Sequence, residues 1–117
     1  MFDRLADEDF CHLTTTGRRT GKRHEIEIWF GIRDGTLYLL SGGGDTADWV
    51  KNIKKDPRVR IRINSQRAAF RARFLRAGSR EDVTARELLD AKYMEWRAGK
   101  KLSSWARGAL PVAIDLG

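Results

Sequence analysis

The chain of 117 residues has one cysteine, two prolines, two histidines and no apolar run long enough to cross a bilayer. One cysteine excludes an intrachain disulfide, and Cys11 with His12 and His24 is too poor a donor set for a zinc site. A reducing cytosol is the compartment such a chain suits. Met1–Asp9 holds four acids and one arginine without an apolar stretch, so it reads as neither a signal peptide nor a spanning helix. Repeats, low-complexity tracts and linker-like stretches are also missing, and the expectation is one continuous domain over 1–117.

What is present is material for a core, with 41% hydrophobic residues, and a net charge of +7. Such a charge suits three partners: nucleic acid, an acidic membrane surface or an anionic small molecule. The balance is −3 over residues 1–9, +5 over 10–64 and +5 over 65–117, so the excess is spread over the fold and is not a tail. Nothing matches a recognised nucleic-acid motif, which makes a nucleic-acid module the weaker reading.

Hydrophobic periodicity places the elements. Phe10–Thr15 is β-rich and ends at Thr16-Gly17. His24–Ile32 alternates, with His24, Ile26, Ile28, Phe30 and Ile32 on one face and Glu25, Glu27, Trp29 and Gly31 on the other, as a half-buried strand does. Asp34-Gly35 signals a hairpin into a more fully buried strand, Thr36–Ser41. After Gly42-Gly43-Gly44, Asp45 and Thr46 are candidate N-caps of a short helix carrying Trp49, Val50 and Ile53 and ending before Pro57. Arg58–Ile63 and Gln66–Arg76 form a second hairpin about Asn64-Ser65, with Ala68, Phe70, Ala72 and Phe74 inward. Ser79 and Asp82 make a capping box before a helix with Ala85, Leu88, Leu89, Lys92, Tyr93 and Trp96 on one face and Gly99 as its C-cap. A basic connection containing Trp105 leads to a last strand, Leu110–Leu116. Six mainly antiparallel strands with two to three helices predict a small α+β barrel.

Three constellations carry chemistry. Thr16-Gly17-Arg18-Arg19-Thr20-Gly21-Lys22-Arg23 is a glycine-hinged loop with four cations, suited to holding an anion; a solvated basic turn is the plainer alternative. It is not a Walker A loop, because three residues separate Gly17 from Gly21 and Arg23 stands where a hydroxyl belongs. Ser41-Gly42-Gly43-Gly44 precedes a helix and would let a flat ligand or its phosphate approach the backbone. The Rossmann reading fails there, since the required acid about 20 residues on is absent and the neighbouring strands look antiparallel. Third, Arg58, Arg60 and Arg62 face Arg67, Arg71 and Arg73 across the second hairpin. Opposed like charges are unfavourable, and either Glu25, Glu27 and the acids of the long helix, or an anionic ligand, must compensate. Cys11 lacks a positioned base and reads as a small buried hydrophobe.

Taken together, Leu13–Lys22, the Asp34-Gly35 hairpin, Ser41 with its glycines, Asp48-Trp49-Val50-Lys51-Asn52-Ile53, Asp56-Pro57-Arg58-Val59 and the closing Leu110–Ile114 run resemble the deazaflavin (F420)-dependent nitroreductase family over nearly the whole chain. The resemblance implies a split β-barrel of the FMN-binding type and the coenzyme F420, whose phosphate and oligoglutamate tail are anionic. Carried over by position, Gly17–Lys22 would hold the phosphate side, joined by Thr16 and Arg23. Ser41–Gly44 would line the deazaflavin ring, supported by Trp49 and Asn52. Ser41 or Tyr93 would orient or protonate a small electrophilic acceptor such as a quinone, enone or nitro compound. Relatives often have Pro-Arg where this chain has Arg23-His24, and some bind FMN, heme-like tetrapyrroles or fatty acids instead. The resemblance also admits a homodimer and peripheral contact with a lipid-soluble acceptor.

Overall fold

The computed structural model describes residues 2–117. Seven strands form one antiparallel sheet in the order β2-β1-β5-β6-β7-β4-β3: β1 (Cys11–Thr16), β2 (Arg23–Ile28), β3 (Gly31–Arg33), β4 (Thr36–Ser41), β5 (Arg58–Ile63), β6 (Gln66–Phe74) and β7 (Leu110–Asp115). Helices α1 (Asp48–Lys55), α2 (Arg80–Met94) and α3 (Ser104–Gly108) accompany it, with 3-10 turns at Phe2–Leu5 and Gly44–Thr46. The strands β2 and β3 stand at opposite ends of this order, yet only Trp29 and Phe30 join them. Two residues reach less than about 10 Å, so the sheet must curl until its edges meet. That curl makes the open barrel expected from the sequence.

The single strand expected over His24–Ile32 is therefore two strands, and the count rises from six to seven. The break has a packing cause. A Cβ on Gly31 would lie 2.8 Å from Cδ2 of Leu88 and 3.0 Å from Cδ1 of Leu89, so the chain passes close under α2 there and any larger residue would have to push those leucines aside. Inside the curl, Leu13, Phe30, Leu37, Leu39, Ile61, Ile63, Val112 and Ile114 form the main core, with Phe2 closing one end against Phe70. On the outer side of β4 and β7, Tyr38, Leu40 and Ala113 meet Ala85 and Leu89 of α2 and Ala106 of α3 in a second core. Coverage on both faces is why every residue of β4 is buried.

Both hairpins form at the expected turns, with Arg62 opposite Arg67 and Arg58 opposite Arg71. Phe74, expected inward, is exposed, because β6 changes partner from β5 to β7 at its end. Ser79 caps α2 as expected by accepting from the Asp82 N–H at 3.1 Å. The helix ends at Met94 and not at Gly99: Glu95 takes the left-handed conformation, and the Trp96 N–H returns to the Asp90 carbonyl. Asp90 also accepts from Ser103 N and Oγ at 2.8 and 2.6 Å, which ties the following loop back to the helix and directs it into α3, a third helix within the segment expected to be a basic connection. At α1 neither Asp45 nor Thr46 caps; Ala47 occupies that position and the Thr46 hydroxyl donates to the Gly43 carbonyl.

Candidate active site

Between β1 and β2 the chain turns tightly. The Gly17 N–H donates to the Lys22 carbonyl at 2.7 Å, and the Gly21 N–H to the Gly17 carbonyl at 2.9 Å. At Gly21 φ is +75°, and at Gly17 a Cβ would lie 2.7 Å from Nε2 of His24 and 3.1 Å from the Lys22 carbonyl oxygen. One glycine serves conformation and the other serves space.

Helix α1 braces this loop. Arg18 donates from its backbone N–H and from Nη1 to Oδ1 of Asn52 at 3.2 and 2.9 Å, and from Nη2 to Asp48 at 3.1 Å. Asn52 is buried and passes the restraint on, donating from Nδ2 to the Thr15 hydroxyl at 3.1 Å. Lys55 Nζ donates to the Arg18 carbonyl at 3.0 Å. Arg18 is thus a strut that keeps the loop open, while Arg19 and Thr20 stand exposed beside it. Together they line a cleft of about 620 Å³ with Thr15, Gly17, Arg23, His24, Glu25, Ile26, Asp48, Trp49 and Asn52. Three arginines outnumber two acids in that wall, and Asp48 is already engaged by Arg18. Thr16, Gly21 and Arg23 border a second hollow on the other side of the sheet. Lys22 is exposed at the end of the loop and lines none of these hollows.

Farther along β2, Glu27, Ile28 and Trp29 join Phe10, Leu40 and Trp105 around an aromatic hollow of about 320 Å³. The Trp29 ring stacks on Tyr93 at 4.3 Å between centroids and meets Trp105 edge-on at 5.4 Å. Tyr93 is engaged through its hydroxyl, which accepts from the Phe30 N–H at 3.0 Å and donates to the Asp9 carbonyl at 2.8 Å. Burial pushes this phenol up to about 12. Next to it, Lys92 Nζ donates to the Ala6 and Phe30 carbonyls, both at 2.9 Å, and lies 3.8 Å from the Phe30 ring centroid. Burial lowers its pKa from the ordinary lysine value. These two side chains fix the residues preceding Phe10 and following Trp29, and so hold both walls of the hollow.

Ser41 is buried at the end of β4, and its hydroxyl donates to the Gly44 carbonyl at 2.8 Å. Gly44 has φ +62° and needs to be glycine, whereas Gly42 and Gly43 have room for a Cβ; at Gly42 it would touch Trp105 at 3.6 Å. The triglycine is therefore a turn folded against the Trp105 side of the site. Of the residues the sequence pointed to, one cleft gathers Gly17–Thr20, Arg23, Trp49 and Asn52, whereas Ser41–Gly44, expected to line a ring there, are not part of its wall. Asp48 of the cleft and Phe10, Trp29 and Trp105 of the hollow were not singled out, although Trp29 on the polar face of its strand was a visible anomaly.

The profile of the F420H2-dependent quinone reductases matches residues 2–112. The chain belongs to that family. F420H2-dependent quinone reductases carry out F420-dependent oxidoreduction, in agreement with the deazaflavin expectation. Solved structures with the same fold include an F420H2-dependent reductase, FDR-A, with 23% identity, 92% of this chain and 93% of that one covered, and a TM-score of 0.66. Another F420 reductase has 15% identity, coverage of 97% and 90%, and a TM-score of 0.64. The heme storage protein HutZ of Vibrio cholerae has 12% identity, coverage of 97% and 86%, and a TM-score of 0.73. The fold is thus shared within the split-barrel proteins. As a member of this family, the chain has a donor set that fits an anionic, flat coenzyme: a glycine-walled loop, Arg19 with no acid partner among the described residues, and the apolar Trp49 and Ile26 surface in one cleft. No helix among the described residues is long and apolar enough to cross a membrane.

Proposed function

We propose that this member of the family holds F420 with its phosphate side at Thr16–Arg23 and its ring toward Trp49, and reduces a flat quinone-type acceptor lodged among Phe10, Trp29 and Trp105, where the Ser41–Gly44 turn adjoins Trp105. Reduced F420 supplies a hydride when bound. The protein's own contribution is position. Asn52 and Asp48 set Arg18, Arg18 keeps the loop open, and Arg19 and Arg23 supply charge for the anion. Ser41 shapes the glycine turn through its bond to Gly44, and Tyr93 backs Trp29 with its ring while its hydroxyl is held by backbone. In this reading both act by orienting the walls.

The observation that carries the proposal is that the cationic cleft and the aromatic hollow flank one strand: Glu25 and Ile26 line the first, Glu27, Ile28 and Trp29 the second. An anionic coenzyme and an apolar planar acceptor thus have adjacent seats. The test is equilibrium titration with F420, expected to give micromolar or tighter binding that Arg18→Ala with Arg19→Ala abolishes. Binding of FMN in its place would refute the assignment. Steady-state assays with a naphthoquinone, a cyclic enone and a nitroarene then identify the acceptor, the quinone being expected to give the highest kcat/KM.

A further inference from the structure

The outward face of β2, β1, β5 and β6 lies on the other side of the sheet from the main core and carries an arginine lattice. Its register sets Glu27, His12, Arg62 and Arg67 in one row, and Glu25, Thr14, Arg60 and Ala69 in the next. Arg23 lies opposite Thr16, and Arg58 opposite Arg71. The expected compensation by acids is found for part of it. Arg62 reaches Glu25 at 3.6 Å, Arg58 is held by Asp56 at 2.8 Å, and Arg73 is bound by Glu81 and Asp115 at 2.7 and 2.8 Å. Among the described residues, Arg23, Arg60, Arg67 and Arg71 have no acid within 4.0 Å.

Three of these unmatched cations, Arg23, Arg60 and Arg67, are gathered around depressions. Two shallow hollows of about 390 and 370 Å³ share Thr14, Arg23 and Arg60; the first adds Thr16 and Arg58, the second Arg62, Arg67 and Glu25, an acid already engaged by Arg62. Side chains two residues apart on a strand repeat every ~6.7 Å, so Arg58, Arg60 and Arg62 form an evenly spaced row of donors beside threonine hydroxyls. Outward strand positions accept any β-former, and opposed arginines are unfavourable there unless a ligand bridges them.

We propose that this face is a second anion site, separate from the coenzyme cleft, taking a linear oligo-anion of phosphate or carboxylate groups on Thr14, Arg23, Arg60 and Arg67. Single-stranded nucleic acid fits less well, because the one aromatic ring of the two rows, the His12 imidazole, is mostly covered and already engaged by Phe10 and Glu27, which leaves no platform on which bases would stack. Arg23, at the end of the loop, and Glu25 two residues on border both the cleft and this face.

Calorimetric titration of the full chain with tripolyphosphate, and separately with tetraglutamate, tests the site, with and without saturating F420. Binding of at least one probe is expected, weakened by added salt and retained when F420 is bound; the two arms tell phosphate from carboxylate. Arg60→Glu with Arg67→Glu should weaken the probe by at least about tenfold and F420 by less than about twofold. A melting temperature of the double variant at or above that of the parent confirms folding, since the opposed charges have been relieved. No binding of either probe at low salt, displacement by F420, an unaltered affinity in the double variant, or tighter binding of oligothymidylate than of both probes would each overturn the proposal.

Discussion

Asn52 has one amide group and serves three partners: the Arg18 N–H, the Arg18 guanidinium and the Thr15 hydroxyl. Because it is buried, its removal leaves polar groups without water to replace it. Asn52→Ala is expected to cost about 1–3 kcal/mol in urea unfolding and to weaken F420 binding by more than the Arg19→Ala change does. Equal effects on a leucine-like scale of stability alone, with F420 affinity intact, would deny it the bracing role. Cys11 gives a simpler prediction. Its thiol is fully buried and pushed up to about 12 by desolvation, so a disulfide reagent at pH 8 should leave the native protein unlabelled and label it fully in denaturant. At this scale the sequence disclosed residue types well. Glycine hinges, cations and the buried cysteine could be picked out, but the inward turn of Arg18 toward α1 could not, since its partners lie 30 and 34 positions away.

Helix α2 acts on the site through its last turn, where Lys92 and Tyr93 grip Ala6, Asp9 and Phe30. Tyr93→Phe keeps the stacked ring and deletes the hydroxyl. It should cost about 1–2 kcal/mol, raise KM for the quinone more than it lowers kcat, and shift the Trp fluorescence as Trp29 loosens. A fall in kcat alone, with a changed pH profile, would instead make the hydroxyl a proton donor. The helix's first turn has a separate duty. Glu81 joins Asp115 on the Arg73 guanidinium, and Tyr38 donates to Glu81 at 2.7 Å. Arg73 lowers both carboxyl pKa values, so the stability this cluster adds is present above the ordinary carboxylate range near 4 and is lost as pH falls through the folded-state values. Arg73→Met should lower stability at pH 7 by about 1 kcal/mol after solvent screening, seen as a lower melting temperature, and flatten the decline of that temperature toward pH 3. Periodicity made these helices and strands legible, to within their ends. The break at Trp29-Phe30 was hidden because alternation continues through it, and only the approach of Leu88 to Gly31 shows why the strand must divide.

Across the whole molecule the chain closes a sheet whose two edges are consecutive in sequence, and Phe2 plugs one end of the resulting core. Phe2→Ala should cost about 3 kcal/mol through the cavity it opens, measurable by chemical denaturation; a change below about 0.5 kcal/mol would mean the end closes without it. The net charge of +7 predicts that F420 affinity falls as salt rises, and the arginine face extends that field beyond the cleft. By itself the sequence determined the hairpins and the class of fold, which rest on local spacing and residue chemistry, and the family, through the order of motifs it shares with that family. Tertiary structure alone decided which arginines are spent on acids and which have no acid partner among the described residues, that an aromatic hollow lies beside the cationic cleft, and that Ser41 and Tyr93 are bound to backbone. Those features depend on contacts across the curled sheet, and curling brings together side chains that no local pattern relates.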